Sequence, residues 1–232
     1  MNVLIENLKA LATAAPLENF TWEIPDNCPV KIPAEITGSY KRNEYLKDNF
    51  ASSLGHLNND QLYWVINQWG GIGSFKRTEK NDALLKVLKD QLGVGRLRKA
   101  SFERISSLSK VASFLEPTNY VIYDSRAIYS LNWLIYLYAN HLPLYPQPSG
   151  RNSEVASIDC KTIFELHNPK VQYHSFKTAY HSYCDLIRQL NIAVFEDSQR
   201  PYKLEMLLFM LAPTYIVNQI RSMITVTIDG GA

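Results

Sequence analysis

Lys110 and Asp124 stand fourteen residues apart, the lysine within Ser109-Lys110-Val111-Ala112 and the aspartate closing Val121-Ile122-Tyr123-Asp124. A lysine amine becomes a nucleophile once its pKa is lowered, and an aspartate carboxylate can stabilise a neighbouring cation or relay a proton. The plainer reading of the same two residues is a solvent-facing or phosphate-binding lysine and an aspartate that caps a helix. Capping and catalysis are compatible at one aspartate, so the segments that carry the pair must discriminate.

Lys110 closes a basic stretch. From Lys76 to Lys110 the chain carries ten lysines and arginines, among them Arg96, Arg98, Lys99 and Arg104, against Glu79, Asp82, Asp90 and Glu103. That local excess of +6 sits in a chain whose net charge is +2, so the remainder is acidic. Such a stripe predicts a polyanion partner, with lysines on solvated helix faces as the alternative. The apolar fraction of 46% and charged fraction of 20% are those of a globular protein. No apolar run approaches the roughly 18 residues of a membrane span. The opening Met1-Asn2-Val3-Leu4-Ile5-Glu6 lacks the basic region of a signal peptide, and Cys28, Cys160 and Cys184 form no pairable framework. A cytoplasmic, monomeric protein with no membrane role, metal or cofactor is expected; His141, His167, His174 and His181 have no ligand spacing.

The elements that must position the pair read as helices. Periodicity predicts helices at 3–14, 41–54, 59–68, 79–92, 97–105, 125–140, 158–167, 170–190 and from Pro201 onward. Asn59 or Asp60 caps the third, and Gly93 stops the fourth. Pro16, Pro25, Pro29 and Pro33 make 15–39 extended, pinned by Trp22, Ile24, Val30 and Ile32, with room for a short strand pair. Ser106-Ser107-Leu108-Ser109 is expected to be a tight connection, with Ser109 capping the helix that carries Lys110 and Phe114. The free N–H groups of such a helix start favour phosphate. Asp124 falls at the N-cap of the aromatic helix 125–140, which is expected to be the buried centre. The glycine-rich Gln68-Trp69-Gly70-Gly71-Ile72-Gly73 lacks the Gly-Lys-Ser/Thr ending of a phosphate loop and reads as a turn between helices. The loop of 141–153 and a polar, β-branched tail from Ser222, disordered or an edge strand, complete a mainly α chain. It is one domain of 1–232, or two lobes meeting near 106–126.

Helix, short turn, Lys-Val-Ala opening a helix, then apolar-Asp opening a buried helix: this order resembles the helix-hairpin-helix DNA glycosylase superfamily, in particular its 8-oxoguanine glycosylase branch. The likeness covers residues 60–140 and, loosely, 200–210. It implies that Lys110 attacks C1′ of a flipped nucleotide or anchors a phosphate, and that Asp124 assists departure of the base. It implies further that Gln68 is the wedge that fills the gap in the duplex and that Trp69, Phe114, Glu205 and Phe209 wall the base pocket. Helices of 158–221 would complete that pocket. Ser107, Ser109, Arg96, Arg98, Lys99, Arg104 and Arg126 would hold the DNA backbone. Glu205 stands where the family carries a glutamine that reads the base edge, which makes an edge with donors, such as an exocyclic amine, plausible.

The chain departs from the family at the hairpin (Ser-Ser-Leu-Ser for Leu-Pro-Gly-Val-Gly), in a shorter Lys–Asp spacing and in lacking iron–sulfur cysteines. It is also similar to prokaryotic members that defend against phage by excising glucosylated hydroxymethylcytosine. The expected partner is double-stranded DNA with a modified or damaged base, and the expected product an abasic site. An 8-oxoguanine-type repair glycosylase/lyase, a DNA-binding module without chemistry and a helical interaction protein are the alternatives. Glu205 as a structurally paired acid and Gln68 as an ordinary helix end are the corresponding plain readings.

Overall fold

The computed structural model describes residues 1–55 and 57–225. The polar, β-branched tail expected from Ser222 lies outside the described residues from 226 onward. The chain is mainly α, and no helix among the described residues is long and apolar enough to cross a membrane. Its helices are α1 (Asn2–Ala14), α2 (Ser39–Leu54), α3 (Asn59–Tyr63), α4 (Glu79–Val94), α5 (Lys99–Phe102), α6 (Ile105–Leu115) and α7 (Ser125–Tyr138). They continue with α8 (Ser153–Ala156), α9 (Cys160–His167), α10 (Ala179–Phe195), α11 (Tyr202–Leu211) and α12 (Val217–Met223). No strand pair forms among the described residues; Leu144 and Tyr173 share an isolated parallel bridge.

Helix α7 is buried on nearly every side, as its almost continuously apolar and aromatic run predicts: Ile128, Leu131, Trp133, Leu134 and Ile135 are all in the core. Each large side chain so buried contributes about 1.5–3 kcal/mol. Helix α11 lies between α7 and α10. Ser130 of α7 donates to the Leu208 carbonyl (2.7 Å), fixing α11 along α7. Asn191 accepts from the Leu204 N–H and donates to the Asp197 carbonyl, so the loop between α10 and α11 is closed on itself. These bonds set the rotation of α11 and thus aim Glu205 and Phe209.

The main apolar cluster is accompanied by a smaller one of Val30, Leu46, Phe50, Trp64, Val65, Trp69, Phe114 and Ile122. Trp22, Ile24 and Ile32 pack against the small cluster, so the proline-broken segment is pinned by the four residues expected to do it. Trp22 adds polar ties: its indole donates to the Trp69 carbonyl (2.9 Å), and its own carbonyl accepts from Asn43 and Ser39.

Several boundaries differ from the sequence reading. Ser106–Ser109 is not a turn. The connection falls at Glu103 and Arg104, and α6 begins at Ile105, so Ser109 is inside the helix rather than at its cap. Its hydroxyl is consumed internally, accepting from the Tyr123 N–H (2.9 Å). The helix ahead of that connection is the four-residue α5, shorter than the expected 97–105 helix. Helix α3 is capped by Asn58, through a reciprocal box with Gln61, one residue ahead of the expected cap. It runs on into a wide π turn over Trp64–Trp69. Helix α4 passes Gly93 and stops at Gly95, whose φ of 74° is the left-handed conformation that glycine accepts most readily. Helix α10 starts at Ala179, because 170–178 instead runs beside Leu144: the His174 N–H donates to the Leu144 carbonyl and the Leu144 N–H to that of Gln172.

Candidate active site

The extended segment 120–124 is locked from both sides. Tyr180 and Tyr183 of α10 donate their hydroxyls to the carbonyls of Val121 (3.1 Å) and Ile122 (3.0 Å). Ser109 holds the Tyr123 N–H from α6, and the Tyr123 hydroxyl reaches the Pro146 carbonyl (2.7 Å). The chain therefore delivers Asp124 to the N-cap of α7 with little freedom. There Oδ1 accepts from the Arg126 N–H at 2.9 Å. The second oxygen, Oδ2, stays available and stands 4.0 Å from Lys110 Nζ. Asp124 thus caps α7 and faces the lysine at once.

Lys110 is buried, and its Nζ donates to the Ser106 carbonyl (3.2 Å). Burial pushes the amine pKa below its ordinary value; Asp124 and Glu205 oppose that shift, while Arg126 and Arg151 add to it. The cationic neighbours are thus secondary to desolvation. The lysine stem runs against Gly70 at the end of the π turn. A Cβ added there would lie 2.5 Å from Lys110 Cδ and 2.7 Å from the Ile66 carbonyl oxygen. Gly70→Ala is accordingly expected to destabilise the fold by about 1–3 kcal/mol and to displace the amine. A denaturant-unfolding midpoint equal to wild type would disprove that contact.

Around the pair opens a pocket of about 630 Å³. Trp22, Trp69 and Phe209 give it aromatic walls, Lys47 and Glu205 its charged depth, and residues 147–152 with Arg104 part of its rim. The Arg126 guanidinium lies over the Phe209 ring, 3.3 Å from its centroid and with Nε 3.8 Å from Asp124 Oδ1. Phe114, expected on the pocket wall, is one layer behind it: its ring packs edge-on against Trp69 (4.7 Å between centroids) and Phe50 (5.0 Å). Gln68 is exposed and outside the lining. Of the helices of 158–221, α11 alone reaches the pocket, through Glu205, Met206 and Phe209.

The sequence does not assign Lys47, Trp22 or the 147–152 loop to the pocket that they line. Lys47 had a usable signal, since Asn43, Lys47 and Phe50 follow the i, i+4, i+7 spacing of one helix face. Its Nζ is 3.9 Å from Glu205 Oε2, 3.4 Å from the Ser113 hydroxyl and over the rings of Trp69, Phe114 and Tyr202. Burial pushes the lysine down and the glutamate up, and each partner's charge opposes the shift of the other. Glu205 Oε2 is buried without a hydrogen-bond partner.

The residues expected to hold a polyanion divide into two groups. Arg96, Arg98, Lys99 and Arg104 are exposed, and none has an ion-pair partner within 4.0 Å among the described residues. Gln91 accepts from the Arg98 N–H (2.7 Å) and the Lys177 carbonyl from the Leu97 N–H (2.9 Å), which fixes the basic segment ahead of α5. Arg104, Ile105, Ser106 and Ser107, at the start of α6, line the pocket, so the positive end of that helix faces the opening. Ser109 is fully buried and Arg126 is stacked on Phe209, so neither projects from the surface as a backbone contact. Among the described residues no group of three or more His, Cys, Asp or Glu is arranged to hold a metal. The chain matches no family model, no curated protein and no solved structure.

Proposed function

We propose that the chain is a DNA glycosylase of helix-hairpin-helix type that flips a modified base out of double-stranded DNA in the cytoplasm and excises it, leaving an abasic site. Glucosylated hydroxymethylcytosine of phage DNA is the candidate substrate. The observation that carries this reading is the buried Lys110 amine 4.0 Å from the free oxygen of Asp124, at an aromatic pocket of about 630 Å³. A pocket of that size takes a small-molecule-sized group, and a base can reach it only by leaving the stack, at a cost of a few kcal/mol. Arg104 and the start of α6 supply phosphate contacts beside the opening.

Breaking the N-glycosidic bond leaves positive charge on the sugar, which the Asp124 carboxylate opposes. Capture of C1′ then has two routes. In one, water adds to C1′ and Asp124 takes its proton. In the other, Lys110 adds as a neutral amine while the C1′–N bond to the base breaks; one amine proton leaves with the base, the other goes to O4′ as the C1′–O4′ bond opens, and the sugar remains joined to Nζ as an imine. Desolvation of Lys110 favours the second route, because it enlarges the neutral fraction of the amine near pH 7.

The test is incubation with duplexes carrying damaged and phage-type modified bases, followed by mass spectrometry of released bases and borohydride reduction. Release of a base with a borohydride-stable protein–DNA adduct that Lys110→Ala does not form is the expected result. The adduct yield should rise with pH as the amine deprotonates. Release without any adduct would assign the water route, and no release from any duplex would overturn the proposal.

A further inference from the structure

Glu205 presents a chemical problem that the fold does not solve for it. It is 4% exposed at the depth of the pocket, and its Oε2 accepts no hydrogen bond. A buried carboxylate oxygen without a donor is costly and rarely left so unless something else supplies the donor. The surrounding charges are Lys47 on α2, Lys110 on α6, Asp124 and Arg126 at the start of α7, with the Tyr183 hydroxyl on α10 also in its field. Lys47 opposes the effect of burial on Glu205 more than any other group, at 3.9 Å, yet does not hydrogen-bond it. Lys47 itself is 1% exposed and clamped among three aromatic rings, so its ammonium is held in place beside the carboxylate at the depth of the pocket.

Resting on the glycosylase reading above, we infer that Glu205 is the acceptor for an exocyclic amine on the flipped base, and that Lys47 is a positioning residue whose charge favours the ionised carboxylate. The substrate class is therefore a base with an amino edge, of the cytosine or adenine kind, and not its oxo counterpart. An ionised carboxylate has acceptors only. Set against the carbonyl oxygen of an oxo base, it would place two acceptors face to face in a desolvated site. A protonated Glu205 would lose that discrimination, because its hydroxyl could donate to the carbonyl. Lys47 is thus a determinant of specificity through its charge on Glu205.

Affinity can be read without catalysis on duplexes whose single mispaired nucleotide carries a 2′-fluoro sugar that resists cleavage. Four such duplexes suffice: 5-hydroxymethylcytosine against 5-hydroxymethyluracil, and adenine against hypoxanthine. Wild type is expected to bind the amino member of one pair about ten- to a hundredfold more tightly than its oxo partner. The ratio should fall as pH drops and Glu205 takes a proton. In Lys47→Met the carboxylate loses the charge that holds its pKa down, so the ratio should collapse near neutral pH and return at higher pH. Equal affinities within both pairs for wild type would overturn the inference while leaving base flipping intact. A Lys47→Met ratio that follows wild type across the whole pH range would overturn the role of Lys47. Should Lys47→Met not fold, the wild-type pH profile decides: a ratio that does not fall in acid overturns the inference. Binding of all four duplexes no tighter than a fully paired one would instead count against the glycosylase reading itself.

Discussion

Asp124→Asn is expected to reduce the rate of base release by on the order of 10³-fold, while duplex affinity changes by no more than about threefold. Removal of one preorganised electrostatic group at a developing charge has effects of that size in other enzymes. The substitution isolates the charge because asparagine and aspartate are nearly equivalent N-caps. The amide oxygen introduced by the substitution can still accept from the Arg126 N–H, the bond that now orders the start of α7. What is lost is the negative charge at Oδ2, 4.0 Å from Lys110 Nζ. Single-turnover release of the modified base, followed with enzyme in excess, measures the first quantity, and a binding isotherm on the same duplex measures the second. Equal losses in rate and affinity would mean that Asp124 positions DNA and is not the group that opposes charge on the sugar. Near-wild-type release would remove Asp124 from the reaction.

The part of the site carried by short-range pattern could be read from sequence. Asp124 follows three large residues in an extended stretch and precedes an apolar helix, a local signature of an N-cap, and it is one. Lys110, Trp69, Glu205 and Phe209 come together in the fold as a pocket, although no single window of sequence contains them. What escaped was set by contacts distant in the chain. Phe114 looked inward-facing and is, but Trp69 stands between it and the pocket. The Ser106–Ser109 run looked like a turn because serine competes with helical hydrogen bonds. Here Ser109 bonds Tyr123, fourteen residues on, and Ser113 returns its hydroxyl to the Lys110 carbonyl, so these serines serve the helix that serine was expected to interrupt. Trp22 enters the pocket from a segment with no regular pattern, placed by its hydrogen bonds to Ser39, Asn43 and Trp69 and by its packing on Trp69 and Phe209. Residues 147–152 read as a loop, and their role depends on Gly150 lying so close to Ser125 that a Cβ there would collide with the serine hydroxyl.

Lys47→Met should cost about 3–5 kcal/mol of stability near neutral pH, the usual consequence of removing one partner from a buried ion pair. The methionine fills nearly the same space among Trp69, Phe114 and Tyr202, so cavity formation contributes little. The loss comes from Glu205, left buried with Oε2 unpartnered and with its main counter-charge gone. Its sign with pH follows from the direction of the shift. Burial raises the carboxyl pKa in the folded state, so the folded state binds the proton more tightly than the unfolded one does. The stability associated with that proton is complete below the unfolded value of about 4.3 and is lost as pH rises through the raised folded value. Without Lys47 the folded value rises further, so the loss continues to higher pH than in wild type. The variant should therefore approach wild type in acid and fall increasingly behind toward neutral pH, as measured by urea unfolding at a series of pH values. A deficit independent of pH would mean that the methionine is failing to pack. No deficit at neutral pH would mean that Glu205 is already protonated beside Lys47, which would remove the ionised acceptor from the depth of the pocket.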